Sequence, residues 1–206
     1  MHVTKWLRDR MGLALFVGVY TVVFGGLALR GGNMEFVLYA GAMVVYVAVV
    51  LGLDRRVHLS GLVLWLLAVW GLVHMAGGIV PIPESVADGE KAVLYAFRPV
   101  DWLPRYDQVV HAFGFFAATL VCGEALAAAR GRGKGLSFGL AAGAALMGMG
   151  LGAFNEVVEF VMTLVLPKTG VGGYTNTGWD LVSNMVGSVL GGLVCWRRGG
   201  DSLSDN

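Results

Sequence analysis

The chain has 206 residues, 56% of them hydrophobic and only 14% charged, with a mean hydropathy of +0.69. Soluble domains carry about 25% charged residues, so this composition excludes a water-soluble globular protein. A net charge of +1 with scattered basic residues excludes a nucleic-acid-binding one.

Six stretches have the roughly 20 predominantly apolar residues needed to cross a hydrocarbon core about 30 Å thick: 11–30, 34–53, 59–80, 106–128, 136–166 and 177–196. The first follows MHVTKWLRDR, but the run from Met11 to Leu29 is too long for a signal-peptide core and no A-x-A-like site follows, so it reads as a retained helix. Between the third and fourth stretches lies residues 81–105, with PIPE, Asp88, Glu90, Lys91, Arg98 and Asp101, where a short interfacial helix is expected. The fifth stretch is long enough to tilt. The fold class is therefore an all-α polytopic membrane helix bundle forming one integral domain over 1–206. Residues 1–58 read as a two-helix scaffold, 59–196 as the part carrying the polar motifs, and 197–206 as a tail.

Lys and Arg concentrate in cytoplasmic loops. One set of connections holds ten of the fifteen (Lys5, Arg8, Arg10, Arg55, Arg56, Arg130, Arg132, Lys134, Arg197, Arg198) and the other five (Arg30, Lys91, Arg98, Arg105, Lys168). The bias predicts both termini inside and 81–105 outside. Trp6 and Trp196 then mark the inner interface, and Tyr95, Trp102, Tyr106, Tyr174 and Trp179 the outer one. Gly139 with Gly143, Gly148 with Gly152, and Gly187 with Gly191 form G-x-x-x-G pairs that predict close contacts of the fifth and sixth helices. Cys122 and Cys195 lack ligand spacing and read as apolar filler. There is no internal repeat of the kind transporters use.

Ionisable groups at membrane depth are costly and rare. Here they are His74 on the third stretch, Asp107 and His111 on the fourth, Glu156 and Glu159 beside Asn155 on the fifth, and Asp180 with Asn184 on the sixth. At about 1.5 Å of rise per residue, the predicted orientation puts all of them in the outer half. Asp107/His111, Asn155/Glu159 and Asp180/Asn184 are i, i+4 pairs and Glu156/Glu159 is i, i+3, so each pair shares a helix face. Two carboxylates three apart in a low-dielectric setting cannot both ionise cheaply, so one is expected to be protonated or neutralised by a cation.

Asp107, His111, Glu156, Glu159 and Asp180 are the candidate catalytic residues. His111, Glu156, Glu159 and Asp180 offer an N/O ligand set for a divalent metal, and a Glu beside a His is equally an acid/base pair. His74, Tyr106, Asn155, Asn176, Thr177 and Asn184 are candidate binding residues. The structural readings stand beside these. Asp107 and Asp180 suit first helical turns, with Thr177-x-x-Asp180 close to a capping box. His74, Asn155 and Asn184 suit interhelical hydrogen bonds, and Glu124 suits a surface pair with Arg130 or Arg132.

The ordered motifs YDQVVHAFGF (106–115), NEVVEF (155–160) and NTGWDLVSNMVGSVLGG (176–192) resemble those of VanZ-like proteins and, through N-E-x-x-E, more closely those of YjdF-type inner-membrane proteins. The resemblance covers the C-terminal half and marks Asp107, His111, Asn155, Glu156, Glu159, Asp180 and Asn184 as signature positions. Asn176 stands where the pattern often has an acid. The resemblance implies a bacterial-type inner membrane and an envelope setting.

Three functions are open at this point. The first is metal-assisted or acid/base chemistry on a lipid or envelope precursor. The second is an accessory membrane protein whose polar cluster holds its helices together, and the third a proton- or cation-coupled transporter. The bilayer is the common partner. Neither G-x-S-x-G nor a phosphate-cradling glycine loop is present.

Overall fold

The computed structural model describes the backbone of residues 2–89, 91–131 and 135–204, and the side chains of those between 10 and 198. Six helices account for the architecture: α1 (His2–Arg30), α2 (Met34–Val57), α3 (Gly61–Gly77), α4 (Tyr106–Ala129), α5 (Phe138–Val165) and α6 (Tyr174–Ser204). By length and apolarity α1, α2, α4 and α5 each suffice to cross a membrane. The remaining two differ. α3 is apolar but has 17 residues, and α6 carries Asp180, Asn184 and Ser188 buried along one side. Large apolar side chains such as Leu15, Val22, Val49, Phe154 and Leu164 point outward while polar ones are buried, as a lipid solvent requires.

Helix boundaries follow local chemistry. Gly32 takes φ +67 in the turn after α1, a conformation costly for residues with a Cβ, and Asn33 caps α2 by accepting from the Phe36 amide at 3.3 Å. Ser60 caps α3, its Oγ accepting from the Val63 amide at 3.3 Å. The same serine donates its N–H and its hydroxyl to Glu124, at 2.7 and 2.6 Å. Glu124 thus clamps the start of α3 onto α4 instead of reaching Arg130, which bonds the Gly135 carbonyl. Arg132, the other expected partner, lies outside the described residues, as do Lys134 and Glu90 and the side chains of Lys5, Trp6 and Arg8. Arg10 meets the buried Asp54 at 3.1 Å at this same end.

At the opposite end, residues 81–105 form no single interfacial helix. Pro81, Pro83, Pro99 and Pro104 remove N–H donors and stop helices from propagating, so two 3-10 turns form, Glu84–Val86 and Leu94–Ala96. They are braced by the Asp88 amide on the Ala96 carbonyl at 2.7 Å and by Arg98 on Asp88 at 2.9 Å. Trp102 and Tyr174 are exposed at this end. Tyr95 and Tyr106 turn inward: Tyr106 donates to the Val73 carbonyl at 3.1 Å, and Tyr95 meets His74.

Helices α4, α5 and α6 pack most closely on one another. A Cβ on Gly187 would lie 2.0 Å from the Ala112 carbonyl oxygen, and one on Gly152 would lie 2.8 Å from Asn184 Cβ. Glycine is what lets these helices touch. Gly187 and Gly191 face α4, however, so the close approach of α5 to α6 depends on Gly148, Gly152 and Gly192. Gly139 and Gly143 face open space and make no close contact. Cys122 and Cys195 are free and buried.

Candidate functional site

α4 presents Asp107 and His111 one turn apart, α5 presents Asn155, Glu156 and Glu159, and α6 presents Asp180 and Asn184. The glycine contacts bring these three faces together. His111, Glu156, Asp180 and Asn184 are buried, Asp180 completely.

The imidazole of His111 organises the group. Its Nδ1 lies 3.0 Å from Asn184 Oδ1, and Asn184 donates from Nδ2 to Glu156 Oε1 at 3.1 Å. With Glu156 ionised, and so only accepting, Asn184 turns its amide toward Glu156 and its carbonyl toward His111, and the imidazole proton lies on Nδ1, which is also 3.4 Å from Glu156 Oε1. Nε2 faces Asp107 Oδ1 at 3.5 Å and Glu159 Oε1 at 3.7 Å. Both separations are too long for a good hydrogen bond. They match the roughly 3–4 Å between two ligands bound about 2.1 Å from one ion.

The remaining candidates support this core. Asn155 donates to Glu159 Oε1 at 2.8 Å and Asn176 to Asp180 Oδ2 at 2.5 Å. Glu156 Oε2 and Asp180 Oδ1 are buried with no hydrogen-bond partner among the described residues. Asp107, His111 and Asp180, and likewise His111, Glu156 and Glu159, each offer three potential ligand atoms within 4.8 Å of one another. Asp180 does not cap its helix: α6 begins at Tyr174, so Asp180 sits in the second turn and Thr177 already lies inside the helix. Thr177 and Tyr106 do not line the adjacent cavity.

That cavity, of about 280 Å³, lies between the cluster and the 81–105 end of the bundle, and Asp107, Glu159 and Asn176 are exposed to it. His74 forms part of its wall, ringed by Phe36, Tyr39, Trp70 and Tyr95 at centroid distances of 5.3–6.2 Å. Tyr95 lies 2.5 Å from His74 Nδ1. Burial, followed by the negative charge of Asp107 and Glu159, holds the Tyr95 phenol protonated well above its ordinary range, so the contact pairs the imidazole with a neutral phenol and no phenolate.

Several cavity residues escaped the sequence reading. α2 contributes Asn33, Glu35 and Tyr39, the 81–105 segment Lys91, Tyr95 and Arg105, and the α5–α6 connection residues 169–173. Glu35 is buried, accepts the Gly170 amide at 2.6 Å and pairs with Lys91 at 3.5 Å, so one carboxylate joins both connections. An acidic residue one position inside an apolar helix was the available signal, masked by the ordinary preference for acids in first turns.

No curated protein matches the chain, and no solved structure does. The family model described as "Predicted membrane protein (DUF2238)" matches residues 12–200. It therefore reaches into all six helices and includes every residue of the cluster, and the chain belongs to the DUF2238 family of predicted membrane proteins.

Proposed function

We propose that the cluster is a membrane-embedded divalent-metal site serving acid/base chemistry on a lipid or cell-envelope substrate held in the adjoining cavity. The carrying observation is the surroundings of His111. Its Nδ1 proton is committed to Asn184, while its Nε2 lone pair faces two carboxylate oxygens at 3.5 and 3.7 Å. Atoms at those separations are held by positive charge, either a proton on Nε2 or an ion among them, and metal content separates the two. His111 would hold the ion either with Asp107 and Asp180 or with Glu156 and Glu159, the two sets whose ligand atoms lie within 4.8 Å of one another, and Asn184 would orient the imidazole from behind, as partners of metal-bound histidines do.

Glu156 and Asp180 each keep a buried oxygen without a donor. One of them completes the coordination and the other is free to take a proton. A bound divalent ion supplies polarisation of a substrate oxygen and an acidified water. The excess of basic residues at the opposite end of the bundle favours an orientation with the cavity outside and both termini in the cytoplasm. Family membership supports the resemblance to YjdF-type proteins. The VanZ-like motif order favours an envelope substrate in a bacterial inner membrane.

The test is metal content. Full-length protein purified in detergent, stripped and reloaded with Mn²⁺ or Zn²⁺, is expected to retain about one ion per chain by elemental analysis, and His111→Ala, which removes the ligand common to both sets, to lose it. A wild-type protein that stays folded and binds no divalent ion overturns the metal reading. It leaves the structural alternative, which the hydrogen bonds from His111 through Asn184 to Glu156 favour because they tie α4, α6 and α5 together.

A further inference from the structure

Acids and bases share the cavity lining: Asp107 and Glu159, which belong to the cluster, and Lys91 and Arg105 from the 81–105 segment, with Glu35 against Lys91. We infer that the cavity is a phosphate-ester site, with the phosphoryl oxygens held between Lys91 and Arg105 on one side and the ion at His111 on the other. This rests on the metal reading above and adds the substrate class to it.

The donors are placed for an anion. Arg105 uses Nη1 on the Asp88 carbonyl at 2.9 Å, and its Nε and Nη2 make no hydrogen bond among the described residues. The Lys91 ammonium is half exposed and its contact with Glu35 is long, 3.5 Å. Val171, Gly172 and Gly173 line the same space, and their backbone amides have no acceptor among the described residues. Guanidinium, ammonium and free backbone N–H groups on the residues of one cavity are the donors that phosphate oxygens match.

Two further quantities restrict the ligand. Three carboxylates (Glu35, Asp107, Glu159) and two cations (Lys91, Arg105) line the cavity, so its lining is net negative by one charge and a divalent ion offsets that excess. Phosphate binding therefore depends on the ion. The cavity's 280 Å³ is equivalent to roughly nine waters at about 30 Å³ each. That leaves room for a phosphate with a short polar substituent.

Full-length protein in detergent, with metal content measured on every sample, is titrated calorimetrically with glycerol 3-phosphate, with short-chain phosphatidylglycerol and with short-chain diacylglycerol. Both phosphate esters, or the lipid alone, are expected to bind the Mn²⁺-loaded protein, while diacylglycerol does not. Binding of both assigns the site to phosphate esters generally, and binding of the lipid alone to a lipid headgroup. Chelation of the ion abolishes binding, and the double variant Lys91→Gln, Arg105→Gln weakens it at least tenfold while keeping its metal. Metal-loaded protein that binds neither phosphate ester, or binds them equally well after chelation or in the double variant, overturns the inference alone. Wild-type protein without metal overturns the earlier reading together with it.

Discussion

His111 Nδ1 and Asn184 Oδ1 stand 3.0 Å apart across the α4–α6 contact, and the other end of the same carboxamide reaches Glu156 on α5. One amide thus sets both the tautomer and the direction of the only histidine in the cluster. Replacing it by a side chain of similar size, Asn184→Leu, is expected to weaken divalent-ion binding about 10–100-fold, as loss of an orienting partner does elsewhere. Competition against a chromophoric chelator measures this. Unchanged affinity would show that Asn184 does not orient the ring.

Glycine contacts separate along α5 and α6 in a way that thermal unfolding in detergent can read. Gly187→Ala drives a methyl group into the Ala112 carbonyl, a backbone atom that cannot rotate away. A loss at the upper end of the usual overpacking range of about 1–3 kcal/mol is expected. Gly143→Ala enters open space and is expected to be neutral or to stabilise α5 by up to about 1 kcal/mol through helix propensity. Equal melting of the two variants would contradict the packing described.

Glu35→Ala removes the acceptor of the Gly170 amide and the partner of Lys91. Amide exchange in residues 169–173 should accelerate about tenfold, equivalent to about 1.4 kcal/mol of lost local stability. The α4–α6 contact should keep its protection. Exchange unchanged in the α5–α6 connection would mean that Glu35 does not hold it.

Glu124→Ala leaves the Ser60 N–H and hydroxyl without their charged acceptor. Hydrogen bonds to charged groups contribute about 1.5–3 kcal/mol each, so a clear fall in melting temperature is expected with no change in metal content. Loss of metal in this variant would show that the two ends of the bundle are coupled.

Periodicity made much of this legible. Apolar runs located the six helices, and i, i+4 spacing put Asp107 with His111 and Asp180 with Asn184 on the faces that do meet. Helix ends were less readable: α6 begins three residues before the apolar run, which removes the capping role from Asp180, and α3 stops at Gly77, short of the run ending at 80. The G-x-x-x-G spacing treated three pairs alike, because spacing records which residues share a face and not what that face meets. For the same reason Glu35 went unassigned, and Lys91, Tyr95 and Arg105 were placed only at the outer surface. They reach the cavity through contacts between distant connections, such as Glu35 with Gly170, and no local pattern encodes those.

The 17 residues of α3 span about 25 Å at 1.5 Å per residue, against a hydrocarbon core of about 30 Å. A span with such a deficit is accommodated by local thinning of the bilayer, by flanking side chains reaching the interface or by association with a neighbour. α3 ends beside Gly78, a residue of the cavity wall, so if α3 spans a membrane its shortness would bring the cavity nearer to the hydrocarbon boundary than a full-length helix would.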